Sequence, residues 1–169
     1  MKRLQKTDYF NDTLENKAVV VKPGEGEALD MPGISCTFKV TSDLSNNQLG
    51  IYEIRLLPQT TGAKLHYHRF MDETFIVNKG MLTVELSDEK IDAAEGSVIY
   101  IPRFTPHGFS NNSDRETTLT LVFNPSQKRE GFFHGLLEIL NHPPIDPGKY
   151  LQLYNKYDSF PIDVKTMIP

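Results

Sequence analysis

His66-Tyr67-His68-Arg69-Phe70-Met71-Asp72-Glu73 gathers two imidazoles and a carboxylate into one short stretch. On a strand, His66 and His68 project to the same face, because side chains alternate with a period of two. Imidazole and carboxylate donors this close together are what a divalent Fe, Mn, Ni, Zn or Cu ion accepts. His68 and Glu73 are five positions apart, so a straight strand would turn them to opposite faces. Their convergence requires a bend or bulge between Arg69 and Asp72.

Around this stretch the chain reads as short strands. Expected strands cover residues 34–40, 49–57, 64–68, 73–78, 81–86, 97–101, 107–111 and 117–123, separated by Gly, Pro, Asn and Asp clusters. Close, fairly regular spacing without a helical period argues for an antiparallel sandwich or barrel. Val19-Val20-Val21 is a β-branched run stopped by Pro23-Gly24, and residues 25–33 read as loop. Residues 1–17 show no clean period and read as an arm.

After Asn124-Pro125 the period changes. Phe132, Phe133, Leu136, Leu137 and Leu140 recur at helical spacing, with Ser126 as the expected N-cap and Pro143-Pro144 as the stop. Asp146-Pro147 supplies an N-cap with proline at the first helical position of a second helix, which carries Tyr150, Leu151, Tyr154 and Tyr157 on one stripe. This hairpin could be a lid over the barrel mouth or a cover for the outer face of one sheet, and the width of its apolar stripe favours the cover. Residues 159–169 read as extended.

The 169 residues, 38% of them hydrophobic, suffice for one domain with a core, burying roughly 70% of the unfolded chain's surface. A net charge of −4 without a basic run gives nucleic acid or an anionic membrane surface no electrostatic purchase. The basic start, Met1-Lys2-Arg3-Leu4-Gln5-Lys6, lacks the apolar middle of a signal peptide, and no stretch approaches the ~20 apolar residues of a membrane span. A soluble cytoplasmic protein is expected. Cys36 is the only cysteine and reads as a small core residue rather than a nucleophile.

A second cluster lies at Gly96, Pro102, His107 and Asn111, downstream of Gly62, His66, His68, Glu73 and Gly80. The two sets together resemble the paired motifs of the cupin superfamily. Phe104 stands where the second motif usually has Gly, and Gly62 sits two residues closer to His66 than the first motif has it. The resemblance implies an all-β fold: an antiparallel double-stranded β-helix, the cupin jelly-roll barrel, with a C-terminal helical hairpin. A single domain over 1–169 is expected, its barrel at about 18–124 and its helical extension at about 126–158.

Carried over residue by residue, the resemblance makes His66, His68, Glu73 and His107 the ligands of one divalent transition metal. Three neutral imidazoles and one carboxylate leave such an ion a formal charge of about +1, and four protein ligands around a six-coordinate ion leave two positions open. His134 and His142 lie outside both motifs and read as helix-surface residues. Asp72 is expected in solvent, or as an acceptor for an imidazole N–H. If Glu73 faces inward, alternation turns Phe75 and Val77 inward too, and from His107 the same step turns Phe109 and Asn111 inward. These four, with Tyr52 and Ile54 on an earlier strand, are the expected pocket residues around a small-molecule ligand.

Three functions fit. The first is a dioxygenase-like oxidoreductase acting on a small substrate with a diol, enol or keto-acid group, with Glu73 as general base, a role the resemblance suggests for the carboxylate. The second is a metal-dependent isomerase or epimerase, the ion acting only as Lewis acid. The third is a non-catalytic small-molecule-binding cupin, since one barrel hosts many functions. Uncovered sheet edges tend to pair, and a homodimer is common among similar proteins, so a homodimer is expected.

Overall fold

A computed structural model describes residues 8–168. Eleven strands run in chain order as β1 (Ala28–Met31), β2 (Ile34–Val40), β3 (Gly50–Leu56), β4 (Thr60–Tyr67), β5 (Asp72–Lys79), β6 (Met81–Leu86), β7 (Lys90–Ala94), β8 (Val98–Ile101), β9 (His107–Asn111), β10 (Thr117–Asn124) and β11 (Phe160–Pro161). Two helices, α1 (Arg129–Leu140) and α2 (Pro147–Lys156), lie between β10 and β11. The strands form a six-stranded sheet, β1-β2-β3-β10-β5-β8, and a five-stranded sheet, β11-β4-β9-β6-β7. All the strand pairs are antiparallel. This is a jelly roll, and alternation along its strands builds the interior: Glu73, Phe75 and Val77 from β5, Tyr52, Ile54 and Leu56 from β3, and Leu119, Leu121 and Phe123 from β10 are all buried.

Turn chemistry closes the hairpins. Gly80 joins β5 to β6 at φ 84° and Gly96 opens the approach to β8 at φ 87°, a region that glycine enters without steric penalty. Gly62 has a different reason. A Cβ there would lie 2.0 Å from the Phe109 ring, so that ring can pack only over a glycine.

Four expectations need correction. The first strand, Ala28–Met31, falls inside the stretch read as loop. Its local propensity is poor, but the turn at Pro32-Gly33 (Gly33 φ 76°) folds it onto β2 and buries Leu29 and Met31. The Val19-Val20-Val21 run instead carries no strand, and Val19 and Val20 are exposed. Ser126 does not cap α1. Its hydroxyl donates to Asn47 at 2.9 Å, and the cap position falls to Lys128, in the left-handed region with no side-chain cap. Finally, α1 does not lie on an outer sheet face. Phe132, Phe133 and Leu136 share a cavity with the inward residues Ile54, Leu121 and Phe123, so the hairpin closes the mouth of the barrel. The width of the stripe is spent on plugging an opening.

The second helix begins as its sequence demands, with Asp146 accepting from the Gly148 and Lys149 amides at 2.8 and 3.2 Å. Of the arm expected at 1–17, residues 1–7 lie outside the described residues; residues 8–11 form a single 3-10 turn. The last stretch returns to the barrel, where β11 pairs Phe160 with Tyr67 and Pro161 with His66. No helix among the described residues is long and apolar enough to cross a membrane.

Candidate metal centre

The two sheets deliver the donors from opposite sides. His66 on β4 is directly across from His107 on β9, in the five-stranded sheet. Glu73 on β5 sits in the six-stranded sheet, between Phe123 of β10 and Ile101 of β8. His68 lies in the link between β4 and β5, where the chain crosses from one sheet to the other. The bend demanded by the five-residue spacing is this crossing, so His68 and Glu73 converge without sharing a strand.

All four side chains are buried, and one ligand atom from each lies within 4.8 Å of the others. Glu73 Oε2 is 3.0 Å from His68 Nε2 and 2.6 Å from His107 Nε2. Donors this close together suit an ion with bonds of about 2.0–2.2 Å to nitrogen and oxygen.

The tautomers agree with that use. His66 Nδ1 donates to the Lys64 carbonyl and His107 Nδ1 to the Thr105 carbonyl, both at 2.8 Å, and His68 Nδ1 donates to the Asp158 carbonyl. A carbonyl only accepts, so each ring carries a proton on Nδ1 and turns Nε2 toward the centre, where the Nε2 of His68 and of His107 meets the Glu73 carboxylate as a donor and would give up that proton to bind an ion. Outer hydrogen bonds of this kind orient imidazole ligands in metal sites. Burial, then the neighbouring His68 and His107, hold His66 well below the usual imidazole range, and burial also lowers His68. At Glu73 burial pushes the carboxyl up, but His107 and His68 outweigh it and keep it well below the usual carboxylate range. For His107 burial is likewise outweighed, here by the negative charge of Glu73, and its pKa rises. The result is an ionised carboxylate among imidazoles, a donor set suited to a divalent transition ion.

His66 and Glu73 open onto a cavity of about 50 Å³. Phe109, Phe123, Phe132, Phe133 and Leu136 supply most of its wall, and Arg129 and Tyr154 its other polar groups. Of the expected pocket residues, Phe109 and Ile54 line this cavity. Phe75 and Val77 are buried in the barrel, the Phe75 ring 6.2 Å from that of His107 and 5.1 Å from that of Phe109. Asn111 gives its amide to the Leu56, Leu57 and Arg115 carbonyls, stapling the turn after β9. Tyr52 donates to Glu130 at 2.6 Å. Asp72 pairs with Arg103 at 3.0 Å, tying the start of β5 to the loop before His107, rather than accepting from an imidazole. His134 contacts Glu27 near the surface, and His142 donates to the Glu138 carbonyl. Cys36 is buried, and burial pushes its thiol pKa up.

Two residues of the tail escaped the sequence reading. Asp158, at φ 58° just past α2, accepts from the backbone amides of Arg69, Phe70 and Met71 at 2.9, 2.8 and 3.1 Å, while its carbonyl holds His68. It pins both the crossing and a donor ring. No local pattern announces it. Arg129 did leave a signal: it precedes Phe132 and Phe133 by three and four positions, which puts a charge on the apolar face of α1.

The profile of the cupin domain family matches residues 52–123, which contain all four donors. No curated protein sequence shows a significant match. Among solved structures, a sugar phosphate isomerase of the cupin superfamily from Silicibacter pomeroyi is 25% identical, with a TM-score of 0.51 over 57% of this chain and 62% of that one. The match therefore spans less than two thirds of that relative. KdgF from a Halomonas species is 21% identical, with a TM-score of 0.57 over 64% of this chain and 94% of that one. A predicted oxalate decarboxylase from Thermotoga maritima is 16% identical, with a TM-score of 0.57 over 63% and 99%. The last two likenesses establish the fold alone.

Proposed function

We propose that this chain, whose residues 52–123 match the cupin domain family, is a cupin and a metal-dependent, dioxygenase-like oxidoreductase acting on a small oxygenated organic substrate. The observation that carries this reading is the donor set opening onto a small, largely apolar cavity of about 50 Å³. His66, His68, Glu73 and His107 would hold the ion. A divalent ion bound there supplies Lewis acidity toward a diol, enol or keto-acid oxygen and, if redox-active, electron exchange with O₂.

The chain's own residues do the rest. Phe109, Phe123, Phe132, Phe133 and Leu136 exclude bulk water and strengthen every charge interaction inside. The Nδ1 hydrogen bonds fix the imidazoles in place. Glu73 is ionised and, where it partly leaves the ion, would accept the proton of a substrate hydroxyl as general base. The expected homodimer belongs to the same proposal.

The isomerase reading draws on the Silicibacter pomeroyi protein. So small a space has little room for a polyhydroxylated phosphorylated sugar, which favours oxidation of something smaller. The test is O₂ consumption by the iron-loaded full chain with catechol, acetylacetone and pyruvate as diol, enol and keto-acid probes. Uptake above the iron-free protein with at least one probe is expected. Solvent deuterium entering acetylacetone or pyruvate without O₂ uptake would transfer the assignment to Lewis-acid isomerisation.

A further inference from the structure

We propose that Arg129 is the anion-recognising residue of the cavity, and that the substrate is a short-chain 2-oxo or 2-hydroxy carboxylate, its carboxylate on Arg129 and its C2 oxygen toward His66 and Glu73. This rests on the reading of the cavity as the place where a metal-bound substrate sits.

The guanidinium is placed for recognition and is incompletely satisfied. Arg129 is 4% exposed and lines the cavity together with His66 and Glu73. Nη1 donates to the Tyr157 carbonyl at 2.8 Å and to the Ser159 hydroxyl at 2.9 Å, which uses both of its hydrogens on neutral oxygens. Nε is buried with no hydrogen-bond partner. A buried donor left unpaired is costly, and native interiors rarely tolerate one without a ligand or water to meet it. Nε also belongs to the edge of the fork that grips a carboxylate through two parallel hydrogen bonds. The guanidinium carbon lies 3.9 Å from the centre of the Phe132 ring and 4.8 Å from that of Phe123, so stacking fixes the direction of the fork.

Charge and size select the ligand. A divalent ion on Glu73 leaves about one positive charge, and Arg129, which stays protonated in proteins, adds a second. Buried charge must be paired, and a carboxylate reaching both centres does this. A cavity needs about 10–15 Å³ per water, so one of about 50 Å³ takes only a few heavy atoms. That admits a short acid and rejects a sugar or a nucleotide. The phenyl walls suit a methyl or short alkyl remainder.

Calorimetric titration of the full chain with pyruvate tests this, run on metal-stripped and on zinc-loaded protein. Saturable binding is expected with zinc, and much weaker binding in the stripped form, where Glu73 already balances Arg129. Pyruvamide, the uncharged amide of the same shape, should bind the wild-type chain at least 10-fold more weakly. Arg129→Lys, which keeps the charge and loses the fork, should weaken pyruvate at least 10-fold with zinc content unchanged. No binding of pyruvate in either form, equal binding of pyruvate and pyruvamide, or wild-type affinity in Arg129→Lys would overturn the proposal. Arg129 also ties α1 to the end of α2, so the variant could fail to fold; the comparison of pyruvate with pyruvamide needs no variant. Neither measurement requires turnover. A chain that binds pyruvate through Arg129 but consumes no O₂ refutes the oxidoreductase and leaves this inference standing. O₂ uptake with catechol and no pyruvate binding does the reverse.

Discussion

The barrel and the helical tail contribute to the same centre by different routes. The barrel supplies the donors: His66, His107 and Glu73 are fixed by strand register, and His68 by its place in the link between β4 and β5. His66 faces His107 across β4 and β9, and Glu73 follows from the alternation that also buries Phe75 and Val77. The tail supplies no donor. It supplies Asp158, which grips the crossing between His68 and Glu73, and Arg129, which enters the cavity from the helix that closes it. Which atoms can bind an ion is thus a property of the β framework. How well they are aimed, and what else enters, depends on residues that arrive only after α1 and α2 have packed.

The sharpest way to break this division is to remove a donor. His66→Ala or His107→Ala should lower bound metal far below the wild-type level while far-UV circular dichroism keeps its β signature. Removal of an outer partner costs a metal site about 10–100-fold in affinity, and loss of a donor should exceed that. Elemental analysis of the purified variants measures it. Full occupancy in both would mean that the four side chains do not act as one site.

The tail half of the division predicts a smaller effect. Asp158→Asn keeps the carbonyl that holds His68 and tolerates the left-handed backbone, but loses the charge and one of the acceptors that meet the Arg69, Phe70 and Met71 amides. Metal affinity should fall by about 10-fold, toward the low end of outer-partner effects. The visible spectrum of the cobalt-loaded variant should shift as well, because His68 is less firmly aimed. An unchanged spectrum with lowered thermal stability would make Asp158 a staple of the fold alone.

The same division governs what could be read in the sequence. The β-rich class and β2 and β6 to the residue were legible from short-range spacing, whereas the cupin fold and the grouping of His66, His68, Glu73 and His107 were legible through the resemblance of the two motifs to those of cupins. The strand Ala28–Met31 was not, because its hydrogen bonds come from a turn and a partner rather than from its own composition. Ser126 has the chemistry of a cap but is drawn off by Asn47, a partner distant in sequence. The closure of the barrel mouth by α1 depends on packing, which an apolar stripe cannot specify: the same Phe132, Phe133 and Leu136 would suit an outer sheet face. Arg129 could have been caught, since a charge in register with that stripe must either be exposed or have work to do inside.

The finest test of the division lies at Phe104, a barrel residue that breaks the motif's glycine. It adopts φ 65°, and a non-glycine residue there costs about 1–2 kcal/mol. The loop keeps its course because the Phe104 amide donates to the His68 carbonyl at 2.7 Å, while the exposed ring stacks beside Tyr67 with centroids 6.5 Å apart. Phe104→Gly relieves the backbone, loses the ring contact, and adds about 0.5–1 kcal/mol of unfolded-chain entropy. These terms nearly cancel, so stability should change by less than about 1 kcal/mol, a shift in melting temperature of no more than about 2–4 °C for a chain of this size. Metal content should not change, because no donor moves. If the variant instead lost metal, the ring rather than the backbone would be holding the approach to His107. The barrel's donors would then depend on side-chain packing just as the tail's residues do, and the contrast between the two regions would be one of degree.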